Sequence, residues 1–189
     1  LNDEWFPGTV RFFTGEEVSG QSLKYNGFLD ELIWLSPGFI QVQLDKHMIR
    51  SFTIKNPHTE VEYHFENITF RPWMENTRVN IFAQSLYREG ISLMVYHRIR
   101  NAGQTTENVR GTIVSRGKLV PDPVYYILLP NGEARILRNF SRRSFLRVFP
   151  DHKDQIKRVF RQHGLRIRTR GDAVQAMPLI NQVVSPGEL

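Results

Sequence analysis

From Thr9 to about Leu137 apolar and polar residues alternate with a period near two, and turn residues interrupt the alternation every eight to twelve positions. Successive side chains of a strand point to opposite faces, so this pattern predicts short antiparallel strands laid side by side. Gly15, Asn26-Gly27, Pro37-Gly38, Asp45-Lys46 and Asn56-Pro57 separate strands read at about 8–13, 17–25, 28–35, 39–45 and 47–55. Asn-Gly is the strongest of these turn signals because both residues tolerate positive φ.

In the run Phe39 to Leu44, Ile40, Val42 and Leu44 face one way and Gln41 and Gln43 the other, as in a half-buried strand. Val61, Tyr63 and Phe65 alternate likewise with Glu60, Glu62, His64 and Glu66. Leu93, Val95, His97 and Ile99 alternate with Ser92, Met94, Tyr96 and Arg98. Arg71 to Asn76, with Pro72 and Trp73, breaks the rhythm and is expected to be a loop or crossing. Asn101 to Asn108 is polar throughout and is expected to be an exposed, mobile loop.

Two runs, Tyr125 to Leu129 and Glu133 to Leu137, flank Pro130-Asn131-Gly132 as a hairpin, and the period then changes. Ser141 fits an N-cap, with Phe140 before it able to staple onto Phe145, which opens a short helix through Phe149 that Pro150 ends. Asp151 is expected to cap a second helix, with Asp154 in its first turn, a stripe of Ile156, Val159, Phe160 and His163, and a stop at Gly164. Leu165 to Arg170 alternates again. Asp172 is expected to start a last helix that Pro178 kinks or cuts short.

At 189 residues the chain suits one domain, able to bury roughly 70% of the surface of its unfolded form. The predicted fold is therefore α+β: a β-rich body over 1–138, a curled antiparallel sheet or partial barrel of about nine to eleven strands, with a basic helical segment over 139–189 packed on it. Phe140, Phe145, Phe149, Ile156, Val159 and Phe160 are the expected contact between helices and sheet.

The absence of cysteine excludes disulfides, thiolate zinc sites and a cysteine nucleophile. No apolar run approaches the roughly 18 residues of a membrane-crossing helix. A start at Leu1 rather than methionine suggests that an upstream segment, whether signal peptide, lipoprotein leader or tag, was removed.

Charge is distributed unevenly. Between Arg135 and Arg170 twelve Lys or Arg residues face only Asp151 and Asp154, a local balance of +10, whereas residues 1–134 hold thirteen basic and fifteen acidic side chains. Arg142, Arg143 and Arg147 on the first helix and Lys153, Lys157 and Arg161 on the second are the candidate anion- or partner-binding residues. Arg166, Arg168 and Arg170 share one side of the extended segment that follows. A merged patch of such side chains attracts polyanions through counterion release, although a charged stripe on an amphipathic helix is ordinarily its solvated face.

Two stretches, the hairpin followed by Ser141 through Lys157 and the earlier Leu23-Lys24-Tyr25-Asn26 with Leu44-Asp45, resemble a group of small uncharacterised exported proteins of Bacteroidota. The resemblance implies a periplasmic or cell-surface location and an envelope role. It carries no known activity and transfers no functional residue.

Catalytic signatures are weak. Glu60 and Glu62 would stand roughly 6.6 Å apart on one strand face, within glycosidase range, but that face reads as solvated. Asp30-Glu31 and Glu16-Glu17 point to opposite faces and make no dyad. His58 and His64 with Glu60, Glu62 and Glu66 follow no established metal spacing, and His97 reads as a core histidine. No Gly-x-Ser-x-Gly elbow or dinucleotide fingerprint occurs, and Gly111 to Leu119 fails as a phosphate loop because of its spacing and its terminal leucine.

No catalytic residue, metal or cofactor is therefore assigned. The expected function is a non-catalytic cell-envelope binding or interaction protein that presents a basic C-terminal surface to an acidic protein, anionic lipid headgroup or polysaccharide. Nucleic acid is disfavoured because Phe145, Phe149 and Phe160 occupy core spacing rather than offering stacking platforms. The alternative is a hydrolase or small-ligand carrier with a site inside the curled sheet, built from Tyr63, Tyr96, His97 and Tyr125. The oligomeric state is left open.

Overall fold

Strand pairing, all of it antiparallel, dominates the computed structural model, which describes residues 4–70, 78–110 and 112–185. The predicted loop or crossing at Arg71 to Asn76 lies outside the described residues. The strands are β1 (Phe6–Phe12), β2 (Glu17–Asn26), β3 (Glu31–Leu35), β4 (Gln41–Gln43), β5 (Ile49–Lys55), β6 (Glu62–Phe70), β7 (Val79–Arg88), β8 (Ser92–Tyr96), β9 (Ile99–Val109), β10 (Thr112–Pro121), β11 (Val124–Leu128) and β12 (Ala134–Ile136). Ten of them form one sheet in the order β12-β11-β8-β7-β6-β5-β1-β2-β3-β4, which is not closed; β9 and β10 pair only with each other.

The large sheet curls. Its ladder places β2 four strands from β7, a separation of roughly 19 Å in a flat sheet, yet the rings of Tyr25 on β2 and Phe82 on β7 lie 6.3 Å apart. Phe52 and Phe65 stack at 4.6 Å between them, so aromatic burial fills the concave side. The Ile99 N–H also donates to the Gly27 carbonyl at 3.2 Å, bringing the β2–β3 turn against the start of β9. Asn26-Gly27 forms that turn as predicted, with the Asn26 side chain accepting from Phe28 N at 3.0 Å. Gly27 is required there by close approach: a Cβ would sit 2.2 Å from the His97 carbonyl oxygen.

Two strand expectations are corrected. Asn101 to Asn108, predicted as a loop, forms most of β9, registered against β10 from Thr112↔Val109 to Pro121↔Ile99. The sequence signal failed because this ribbon buries neither face and so shows no apolar alternation; its pairing is held by backbone bonds and by contacts such as Ser115 Oγ to Gln104 Oε1 at 3.0 Å. The strand predicted at 39–45 shrinks to Gln41–Gln43 at the edge of the sheet, with Ile40 and Val42 exposed rather than covered.

After the hairpin, whose Gly132 has φ +78°, come three helices: α1 (Arg142–Val148), α2 (Lys153–Gln162) and α3 (Arg170–Val184). Ser141 caps α1, its hydroxyl accepting from Ser144 N at 3.2 Å. Pro150 stops α1 and opens a 3-10 turn through His152, so the N-cap of α2 is His152 and Asp151 lies in the turn instead of capping. Gly164, at φ +60°, ends α2 while Leu165 N–H reaches the Phe160 carbonyl.

α3 begins at a Thr169–Asp172 capping box, which makes Asp172 the N3 residue rather than the cap. The helix also runs through Pro178 without being cut short. Pro178 is exposed and lacks the N–H that would bond the Val174 carbonyl, while Ala173, Ala176, Met177 and Ile180 hold both halves against the core.

Helices and sheet share one core. Phe145, Phe149, Ile156 and Phe160 are buried with Ile91, Leu93 and Ile127 of the sheet, and Phe140 packs on Tyr125 with ring centroids 4.7 Å apart. Asn181 of α3 accepts from Ile91 N at 2.9 Å, fastening the last helix to the β7–β8 turn. On the opposite face of the sheet Ile68, Phe70, Ile81, Met94 and Tyr126 form a second cluster, so β7 and β8 are apolar on both sides.

Candidate functional site: the cationic helical cover

Amphipathic packing decides where the basic residues of the tail point. The apolar stripes of α1 and α2 are clamped to the sheet, so Arg143, Arg147, Lys153, Arg158 and Arg161 are turned outward and exposed. Ile167 is buried between Arg166 and Arg168, which sends those two outward, and Arg170 opens α3 on the same exposed run. The segment is coil, not a strand, so the expected single row of Arg166, Arg168 and Arg170 is broken at the helix start.

The six predicted binding residues divide. Arg143, Arg147, Lys153 and Arg161 form no ion pair with another described residue. Arg142 instead donates its Nε to the Leu165 carbonyl at 2.9 Å, with its Nη2 on the same oxygen and its guanidinium 5.9 Å from the Phe160 ring centroid. It ties α1 to the segment after α2. Lys157 contacts Asp154 at 2.9 Å. Arg135 is similarly engaged, by Glu133 and by the Val148 carbonyl at 2.5 Å. Arg158 was missed as a site residue because it lies off the Lys153, Lys157, Arg161 spacing.

Three acids, Asp151, Asp154 and Asp172, stand against ten Lys or Arg residues over 139–185, so the cover keeps a positive balance. Asp154 is held below the usual carboxylate range by the Lys157 ammonium, and Asp172 by the Arg168 and Thr169 N–H groups that it accepts. Both are committed to local partners. No large apolar side chain of residues 139–185 is strongly exposed, so the cover offers charge without a greasy wedge.

The acidic strand candidates do not assemble. Glu60 lies before β6 at φ +55°, so it shares no strand face with Glu62. His64 Nε2 stands 3.7 Å from Glu62, while Glu66 pairs with Arg88 at 2.9 Å. Among the described residues no three His, Asp or Glu side chains are grouped to hold a metal. Glu62, His64, Glu66 and Arg88 line an open groove of about 570 Å³ across β1, β5, β6 and β7.

Tyr63, Tyr96, His97 and Tyr125 are likewise dispersed. Tyr63 packs with the aromatic core, Tyr96 with the cluster on the opposite face, and Tyr125 beneath the helices. His97 Nε2 lies 2.6 Å from Gln84 Oε1, a contact that engages the ring with β7. Burial, with the Arg170 charge adding, lowers the imidazole pKa from 6.5 to about 4.

Sequence reasoning missed a polar cluster inside the curl. Asp30, in the β2–β3 turn at φ +57°, is buried and accepts from Tyr25 Oη at 2.7 Å, from Phe82 N at 3.3 Å and from Lys46 Nζ. Lys46 also donates to the Asn80 carbonyl at 2.8 Å, and Asn67 donates to the Lys46 carbonyl at 2.7 Å. The one sequence signal was the acidic pair Asp30-Glu31, set between Phe28-Leu29 and Leu32-Ile33 in a stretch that otherwise reads as strand.

No known protein family, curated protein sequence or solved structure matches the chain.

Proposed function

We propose that this is a non-catalytic binding protein of the cell envelope whose helical cover engages an extended polyanion, an acidic polysaccharide being the best fit. The observation that carries the reading is the set of outward cations that form no ion pair with another described residue: Arg143, Arg147, Lys153 and Arg161, joined by Arg158, Arg166 and Arg168. They are spread over three consecutive elements, which suits a chain of anions better than a single one. The lack of an exposed apolar wedge favours a polymer over a bilayer, into which an interfacial helix inserts its greasy face. The envelope location rests on the resemblance of Ser141 through Lys157 to exported proteins.

The test is capture of purified protein on immobilised sulfated polysaccharide, on neutral polysaccharide and on anionic vesicles. Capture by the sulfated matrix alone, lost in Arg143→Glu with Arg147→Glu while circular dichroism and melting are unchanged, is the expected result. Equal capture of the variant, or preference for vesicles, contradicts the reading.

A further inference from the structure

We propose that Lys46 and Asp30 condense into an isopeptide cross-link, formed within the folded chain without any other molecule, which closes β3 and β4 into a ring. The proposal is independent of the polyanion reading and rests on the polar cluster inside the curl.

Four features of that cluster converge on one bond. Lys46 Nζ is in direct contact with Asp30 Oδ2, and the two side chains are 23% and 9% exposed. The other carboxyl oxygen accepts from the Tyr25 hydroxyl at 2.7 Å, and the Phe82 N–H lies 3.3 Å from both oxygens. These donors draw electron density from Cγ and stand where negative charge develops on attack, as in an oxyanion hole. The Asn80 carbonyl, 2.8 Å from Nζ, fixes the amine against the acid. Finally, the Phe82 ring centroid lies 5.0 Å from Nζ, and Tyr25, Phe52 and Phe65 complete an aromatic wall.

That wall matters because a poorly hydrated site disfavours the ammonium–carboxylate pair relative to neutral amine and neutral acid. Burial pushes the Asp30 carboxyl above its ordinary range, against the opposing pull of Lys46 and Tyr25. A proton passes from Nζ to Oδ2. The Nζ lone pair then attacks Cγ, and charge on Oδ1 is met by the Tyr25 hydroxyl and the Phe82 N–H. The Cγ–Oδ2 bond breaks as Oδ2 takes a second proton from Nζ and departs as water, leaving a secondary amide. Ammonium and carboxylate become amide and water, with no change of oxidation state.

The location gives the link a purpose. β4 is one of the two terminal strands of the sheet and pairs over only three residues, so the β3–β4 end is weakly held by its ladder. A covalent tie from the β2–β3 turn to the β4–β5 turn, seated on Phe82 of β7, locks that end into the curl.

Intact mass of the purified, fully denatured chain decides the question. The expected result is a mass one water below that of the sequence, with proteolysis releasing a branched peptide that joins the Asp30 and Lys46 segments. Lys46→Arg keeps the charge but removes the condensing amine, and should restore the full mass and melt lower. Tyr25→Phe should leave a fraction unlinked. A wild-type chain that keeps its full mass after prolonged incubation in the folded state overturns the proposal, whether or not either variant folds.

Discussion

Arg142 Nε donates to the main-chain carbonyl of Leu165 at 2.9 Å across the junction between α1 and the segment that follows α2. An arginine that sequence places among the ligand-binding cations is thus a structural clasp. Arg142→Ala should cost roughly 1 kcal/mol of stability, the scale of an exposed charge-assisted hydrogen bond, while lowering polyanion affinity less than Arg143→Ala does. Urea unfolding and polysaccharide binding of the two variants, measured side by side, check this.

Phe145 is fully buried between the helices and the sheet, at 6.2 Å from Phe160 edge to face. Phe145→Ala should destabilise the domain by about 3 to 5 kcal/mol, with β-sheet and helix signals lost together. Two separate transitions in circular dichroism would show a cover that folds apart from the body.

Gly27 packs on the His97 carbonyl with no room for a methyl group. Gly27→Ala should loosen the contact that turns the sheet back on itself and cost about 2 kcal/mol or more, as overpacking does. Thermal melting measures it.

The same helices and strands show how far sequence carries. Ser141, Pro150 and Gly164 act locally, through a cap, a missing N–H and a left-handed turn, so the limits of α1 and the end of α2 were readable from neighbouring residues, whereas the 3-10 turn that displaces Asp151 from the cap of α2 was not. The outward direction of Arg143, Arg147, Lys153 and Arg161 was readable for the same reason. Arg142 and Arg143 differ only in what tertiary packing brings near them, and no periodicity distinguishes a clasp from a free cation. Asp30 and Lys46 meet because the sheet curls, and the ribbon of β9 and β10 pairs through its backbone; neither leaves an apolar pattern to read.

His97 supplies a pH dependence. It is neutral in the fold because burial, reinforced by Arg170, lowers its pKa to about 4, while the unfolded residue titrates near 6.5. The unfolded state therefore binds the proton first, and stability is lost as pH falls from about 6.5 towards 4, by up to roughly 2 kcal/mol after allowance for partial exposure. The measurement is the difference between wild type and His97→Gln, in which the contributions of all other titrating groups cancel. Parallel curves of unfolding free energy against pH would remove His97 from the account.

The most direct measurement is the affinity of the wild-type chain for a sulfated polysaccharide as a function of salt. The outward cations of the cover predict that the logarithm of the binding constant falls linearly with the logarithm of salt concentration, with a slope of magnitude about 3 or more, reduced when Arg143 and Arg147 are both reversed to glutamate. Binding that ignores salt, or a slope the double reversal leaves unchanged, would contradict it.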